Sequence, residues 1–158
     1  MQLFILDKDP AICAQMLCDV HIRKMCLETA QILSGIISLQ QKKPYPAMPR
    51  PYSLFHPVIQ ALNTPFKVNW VLDLNIFLHK EYLFRFAKLH CYSYWATSYK
   101  KILFAPASQE NWDFARAFKD FRTDTIDIVD AYREYYRFKK SIIRHWNYTG
   151  RPEPEWLN

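Results

Sequence analysis

Two glycines in a chain of 158 residues leave a β-sheet too few of the turns and bulges it needs. Helices make no such demand, and the chain's longest unbroken stretch agrees. Asp9 followed by Pro10 is a helix start, a capping carboxylate ahead of proline at the first helical position. From there to about Leu39 nothing breaks a helix except the tolerable Gly35, and the stretch is apolar on most sides. It therefore reads as a central, largely buried N-terminal helix.

Residues 2–6 read as a short extended segment. Pro44, Pro46, Pro49 and Pro51 make 40–55 a loop, pinned to the body by Tyr45, Tyr52 and Phe55. His56-Pro57 opens a short helix to about Leu62. Thr64-Pro65 repeats the cap-plus-proline signal and starts a second long helix, continuing past Lys88 with a break near His90 to Ser93. Pro106 and Ser108 mark another loop. A helix is expected from about Gln109 to Phe118, and Thr123 or Asp124 caps a last one running to about Trp146. The prolines of the tail forbid a helix there, and Trp156 is expected to dock on the core. Half of the residues are hydrophobic, enough for a sizeable core. With no repeat or domain boundary visible, the reading is one compact all-α domain over residues 1–158.

Several chemistries lack their signatures. Cys13, Cys18 and Cys26 fall in one predicted helix and Cys91 lies far away, so the four cysteines do not form a disulfide framework. There is no CxxC, and His21, His56, His79, His90 and His145 include no HxxxH pair or cysteine partner at zinc spacing, so no metal is expected. A Gly-rich phosphate loop, GxSxG and a dinucleotide fingerprint are all absent, which disfavours an ATP-using enzyme, and no cofactor is expected. The apolar stretch within Met1 to Asp7 is too short for a signal peptide, and no run approaches the ~20 residues of a membrane span. Together with reduced cysteines this predicts a cytoplasmic protein with no membrane partner.

At ~100° per residue, His21, Lys24, Glu28 and Gln31 share about a quarter of the first helix's circumference. They interrupt an otherwise apolar stripe. A solvated face would be polar throughout, and a core face would hold Lys and Glu only as a pair. Two readings follow: a buried Lys24–Glu28 pair with His21 satisfied by backbone, or the floor of a cleft. In the cleft reading, a carboxylate beside an amine and an imidazole is suited to acid–base work.

In the second long helix Glu81, Arg85 and Lys88 share a face, as a solvated ion-pair ladder or as the frame of an anion site, with His90 nearby. The last helix interleaves Tyr132, Tyr135 and Tyr136 with Arg133, Arg137, Lys139 and Lys140. Such a mixture can bind phosphates and stack on bases, although aromatic stripes are more often core. The expected division puts one tyrosine face inside and Arg133, Arg137 and Lys140 outside. A net charge of +6 suits a polyanionic partner such as nucleic acid; it equally suits a soluble protein that happens to be basic.

The segment Ala14-x-x-Leu17-Cys18-Asp19-x-His21-Ile22-x-Lys24-Met25-x-x-Glu28-x-x-Gln31-Ile32-Leu33 resembles the opening helix of a family of small phage and bacterial proteins, the pyrimidine-dimer DNA glycosylases or endonuclease V-like proteins. The resemblance continues through His56-Pro57, Asn69-Trp70, and Glu81-Tyr82 with Arg85, Lys88 and His90. It resumes at Ala131-Tyr132-Arg133-x-Tyr135-Tyr136 and at Pro154-Glu155-Trp156.

The resemblance implies an all-α enzyme of DNA repair that flips a nucleotide out of double-stranded DNA. Its amine attacks the sugar C1′, and a first-helix glutamate, in the position of Glu28, assists. On this reading Glu28, His21, Lys24 and Met1 are the catalytic set. Gln31, Arg85, Lys88, His90, Arg133, Tyr136 and Lys140 contact the nucleic acid. Where the characterised enzymes expose a small second residue, this chain has the bulky Gln2, so the amine is that of Met1 or of Lys24, or there is none. The rival readings are a non-catalytic nucleic-acid-binding module and a virus-encoded protein-interaction or inhibitor domain.

Overall fold

The computed structural model describes residues 1–41, 50–51, 53–107 and 109–158. Its elements are α1 (Pro10–Gln15), α2 (Asp19–Gln41), α3 (Pro57–Ala61), α4 (Pro65–Phe86), α5 (Trp95–Leu103), α6 (Ile128–Ile142) and a closing 3-10 turn (Glu155–Leu157). The fold is all-α, with no strand among the described residues. Residues from all six helices meet in one hydrophobic core. No helix among the described residues is long and apolar enough to cross a membrane.

Three helix starts lie where local chemistry puts them. Asp9 accepts the N–H groups of Ala11 and Ile12, Thr64 Oγ1 accepts that of Lys67, and His56 Nδ1 accepts that of Val58, each ahead of a proline. The last helix starts later than expected. Asp127, not Thr123 or Asp124, caps it by accepting from Val129 and Asp130, and it ends at Ile142 rather than Trp146.

The expected single helix from Pro10 to Leu39 is two. It breaks at Met16 to Cys18, where there is neither glycine nor proline. Distant side chains take up the backbone groups the break releases. Arg85 Nη1 donates to Leu17 O at 2.7 Å and Nη2 to Gln15 O at 2.9 Å. The Tyr136 hydroxyl accepts the Cys18 N–H at 2.9 Å, and Asn147 O accepts that of Asp19 at 2.8 Å.

α2 is the central helix, crossing α4, with Asn75 Nδ2 donating across the interface to Thr29 Oγ1 at 2.8 Å. At Gly35 a Cβ would stand 2.8 Å from Ile59 Cδ1, so the glycine admits α3 to α2. α4 ends at Phe86 instead of continuing past Lys88, with Ala87 as a left-handed cap (φ 50°), and the chain turns through 87–94 into α5.

No helix forms between Gln109 and Phe118. That stretch has no regular secondary structure, turns at Trp112–Phe114, and runs across α4 and α6. Its aromatics find partners on both. Trp112 meets Phe66 and Trp70, Phe114 meets Trp70, and Phe118 packs on Tyr132 and Tyr135. Its backbone carbonyls are paired by side chains: Tyr132 OH donates to Ala115 O and Gln2 Nε2 to Ala117 O.

Residues 2–6 lie outside any helix and are buried throughout. Trp156 docks as expected, its carbonyl accepting from Arg137 and its ring under Arg133 and Arg137. Pro44, Tyr45, Pro46, Pro49, Tyr52 and Ser108 lie outside the described residues. Phe55 does not pin the loop; it is 84% exposed.

Candidate functional site

The buried N-terminal segment passes through the core and delivers Met1 and Gln2 to α2. There the Gln2 N–H donates to Glu28 Oε2 at 3.1 Å, and Lys24 Nζ stands 3.5 Å from Glu28 Oε1. The carboxylate thus spans the N–H of the Met1–Gln2 peptide and an ammonium. Gln2 Nε2 donates to Ala117 O at 3.2 Å and fixes the non-helical 109–127 segment as the facing wall. Between them lies an open pocket of about 380 Å³, lined by Met1, Gln2, Lys24, His56, Ala117, Phe118 and Lys119.

His56 was not among the expected site residues, although it stands in a segment that carries the resemblance. Burial holds its imidazole below the usual histidine range, and the Met1 ammonium pushes the same way while Glu28 opposes both. Its Nδ1 accepts the Val58 N–H at 3.3 Å, which places the proton of the neutral ring on Nε2. Gln31, one turn beyond Glu28, donates from Nε2 to Arg50 O at 3.1 Å and tethers the chain there.

So the structure brings Met1, Lys24 and Glu28 together, with Gln31 beside them. Lys24 is half exposed, its side chain at 49%, so the pair with Glu28 is not a buried one.

His21 belongs elsewhere, a correction to its expected place in the catalytic set. It is buried, with its ring against Phe4, Tyr136 and Trp146. The Tyr136 hydroxyl, 2.9 Å from its Nδ1, donates to it while accepting the Cys18 N–H. Burial pushes the Tyr136 phenol far up, so it keeps its proton. Burial, helped by Lys24 and Lys139, pushes His21 down to about 3.

A histidine neutral in the fold and basic when unfolded stabilises fully above pH 6.5, and that contribution is lost as pH falls toward 3. His21→Asn keeps an acceptor for Tyr136 but does not titrate. Between pH 6 and 4.5 the unmodified chain is expected to lose about 2 kcal/mol more stability than this variant in urea unfolding. Parallel pH profiles would refute the buried neutral imidazole.

Arg85, expected on DNA phosphates, has a fully buried side chain. Its Nε donates to Glu81 Oε1 at 2.7 Å and its Nη1 to Asp19 Oδ1 at 3.0 Å, besides the Gln15 and Leu17 carbonyls. Burial pushes the Asp19 carboxyl up, but bonds from Thr149 and from Arg85 outweigh it and hold it below the carboxylate range. Glu81 is bound on both oxygens by Arg151, which raises the Arg151 pKa. These four charges join α2, α4 and the 147–151 segment, and they enclose the Arg85 guanidinium, which is not open to a phosphate.

The other expected nucleic-acid contacts divide. Tyr136 is fully buried and cannot stack on a base. Arg133 donates to Leu6 O at 2.9 Å and pairs with Asp7 at 3.5 Å, and Lys140 pairs with Glu153. Both are therefore engaged in holding the N-terminal segment and the tail. Lys88 is exposed, and so are Lys24 and Lys119 at the pocket.

His90 stands in the turn after α4 beside His79, at 5.5 Å between ring centroids. With Cys26 they form a cluster whose potential ligand atoms all lie within 4.8 Å of one another. The expectation of no metal came from local spacing, and this set comes from α2, α4 and the turn.

No protein-family model, curated protein or solved structure matches the chain.

Proposed function

We propose that the chain is a DNA glycosylase, or glycosylase with abasic-site lyase activity, acting on a damaged or modified base flipped out of double-stranded DNA. The observation that carries this reading is the placement of Glu28. Its carboxylate is bound by the Gln2 N–H and flanked by Lys24, beside a pocket that Met1 and His56 also line. The resemblance implies the same pairing of a first-helix glutamate with an amine. The pocket's volume lies within the range of small-molecule sites and suits one extruded nucleotide.

The chemistry follows from those groups. A neutral amine, of Met1 or Lys24, attacks C1′. The bond from C1′ to the base breaks, its electron pair leaves with the base, and the base takes up a proton. The positive charge that develops on the sugar is stabilised by the Glu28 carboxylate. Loss of the amine proton and ring opening then give an imine. His56, neutral at pH 7 with its proton on Nε2, offers a hydrogen bond without competing for Glu28's charge. Lys24, Lys119 and Lys88 are the exposed cations that support phosphate contact.

The test is borohydride trapping on an abasic-site duplex. A covalent protein–DNA adduct is expected at catalytic speed, mapping to Met1 or Lys24, with DNA affinity that falls steeply as salt is raised. An adduct that persists in Lys24→Ala assigns the role to Met1. Salt-dependent binding with neither adduct nor base release on any damaged duplex would replace this reading with the non-catalytic nucleic-acid-binding module.

A further inference from the structure

Cys26 precedes Glu28 by two residues, about 200° around α2, so it faces away from the pocket. Its thiol is fully buried. His79, on α4, is 93% buried, and neither of its ring nitrogens has a hydrogen-bond partner among the described residues. That is costly, because a buried donor or acceptor left unmade costs about 1–3 kcal/mol. The unpartnered ring lies where a thiol and a second imidazole converge. His90 brings that imidazole, and its neighbour Cys91 places Sγ 3.9 Å from His90 Nδ1 at the exposed mouth of the cluster.

We propose that Cys26, His79 and His90 bind one zinc ion, with Cys91 as the fourth ligand. One or two thiolates with two imidazoles is a donor set that zinc takes in tetrahedral geometry. Bonds of about 2.0–2.3 Å put such ligands roughly 3.5 Å apart, so donors within 4.8 Å need only side-chain adjustments of about 1 Å. His79 has both ring nitrogens free of hydrogen-bond partners among the described residues, and His90 Nδ1 accepts the Tyr92 N–H at 3.3 Å, a bond it exchanges for the metal if that nitrogen is the ligand. A zinc ion gives His79 the partner it lacks, and it clips the 87–94 turn, with its exposed Leu89 and Tyr94, to α2 and α4. The site is independent of the DNA reading and survives its failure.

The test uses the whole chain, kept reduced and stripped with a chelator, titrated with cobalt(II) and then zinc(II). One equivalent of cobalt is expected to give the intense visible bands of a tetrahedral thiolate–imidazole complex, and zinc should abolish them. Zinc should also raise the melting temperature. Cys26→Ser and His90→Asn are expected to lose the bands and to bind zinc at least roughly 100-fold more weakly, beyond the cost of losing an outer-shell partner. His90 lies in a partly exposed turn, so its variant carries the test if Cys26→Ser misfolds. Cys91→Ser should lower the sulfur-to-cobalt charge-transfer absorption by about half, and an unchanged spectrum would remove Cys91 from the set. Absent bands in the unmodified chain, or bands that persist in both Cys26→Ser and His90→Asn, would overturn the site.

Discussion

Glu28→Gln is expected to slow base release and imine trapping by about 10²–10⁴-fold, the range in which loss of a charged catalytic group falls. The substitution is nearly isosteric, and the amide oxygen can still accept the Gln2 N–H now held at 3.1 Å. What is lost is the negative charge that the proposed chemistry assigns to the sugar cation. Stability should hardly change. Lys24 is half exposed, so its ion pair with Glu28 contributes at most about 1 kcal/mol, and the melting temperature should fall by no more than about 4 °C. DNA affinity should persist or rise slightly, because a negative charge leaves the surface. Single-turnover assays on damaged duplexes, with thermal unfolding and anisotropy on the same preparations, read all three quantities. Unchanged turnover in Glu28→Gln would remove the glutamate from the chemistry.

The contrast between Glu28 and His21 shows how far the sequence could be read. The two residues share one stripe of the first long helix, and helical geometry alone treats them alike. They differ because α6 lies over the N-terminal part of that stripe, placing Tyr136 on His21, while Lys24, the ion-pair partner of Glu28, lines an open pocket. Helix starts were legible because a cap and a proline are neighbours in sequence, as at Asp9-Pro10 and Thr64-Pro65.

The break between α1 and α2 was not legible. Its backbone groups are satisfied by Arg85 and Tyr136, 68 and 118 residues away from Leu17 and Cys18. The irregular course of residues 109–118 has the same origin. Side chains from other elements replace the hydrogen bonds a helix would have made. Cys26, His79 and His90 escaped notice likewise, since metal-site patterns are local and this cluster is tertiary.

That same long-range satisfaction makes Arg85 the residue whose loss should unfold the chain most readily. Arg85→Ala removes one guanidinium from four acceptors: Glu81, Asp19 and the carbonyls of Leu17 and Gln15. Glu81 keeps Arg151 and Asp19 keeps Thr149, but the Gln15 and Leu17 carbonyls at the break between α1 and α2 lose this partner. Breaking a buried pair by removing one partner costs about 3–5 kcal/mol, because the remaining charge is left uncompensated. For a chain of this length that is a fall in melting temperature of about 6–20 °C. Arg85→Lys should recover only part of it, since an ammonium keeps the charge but cannot reproduce the planar fork. Arg151→Ala, whose side chain is 30% exposed, should cost far less. Limited proteolysis should show earlier cleavage at 147–151 in Arg85→Ala, because Asp19 holds Thr149 from a position that Arg85 fixes. An Arg85→Ala variant with unchanged melting temperature and weakened DNA binding would return Arg85 to the phosphate-contact role that its burial denies it.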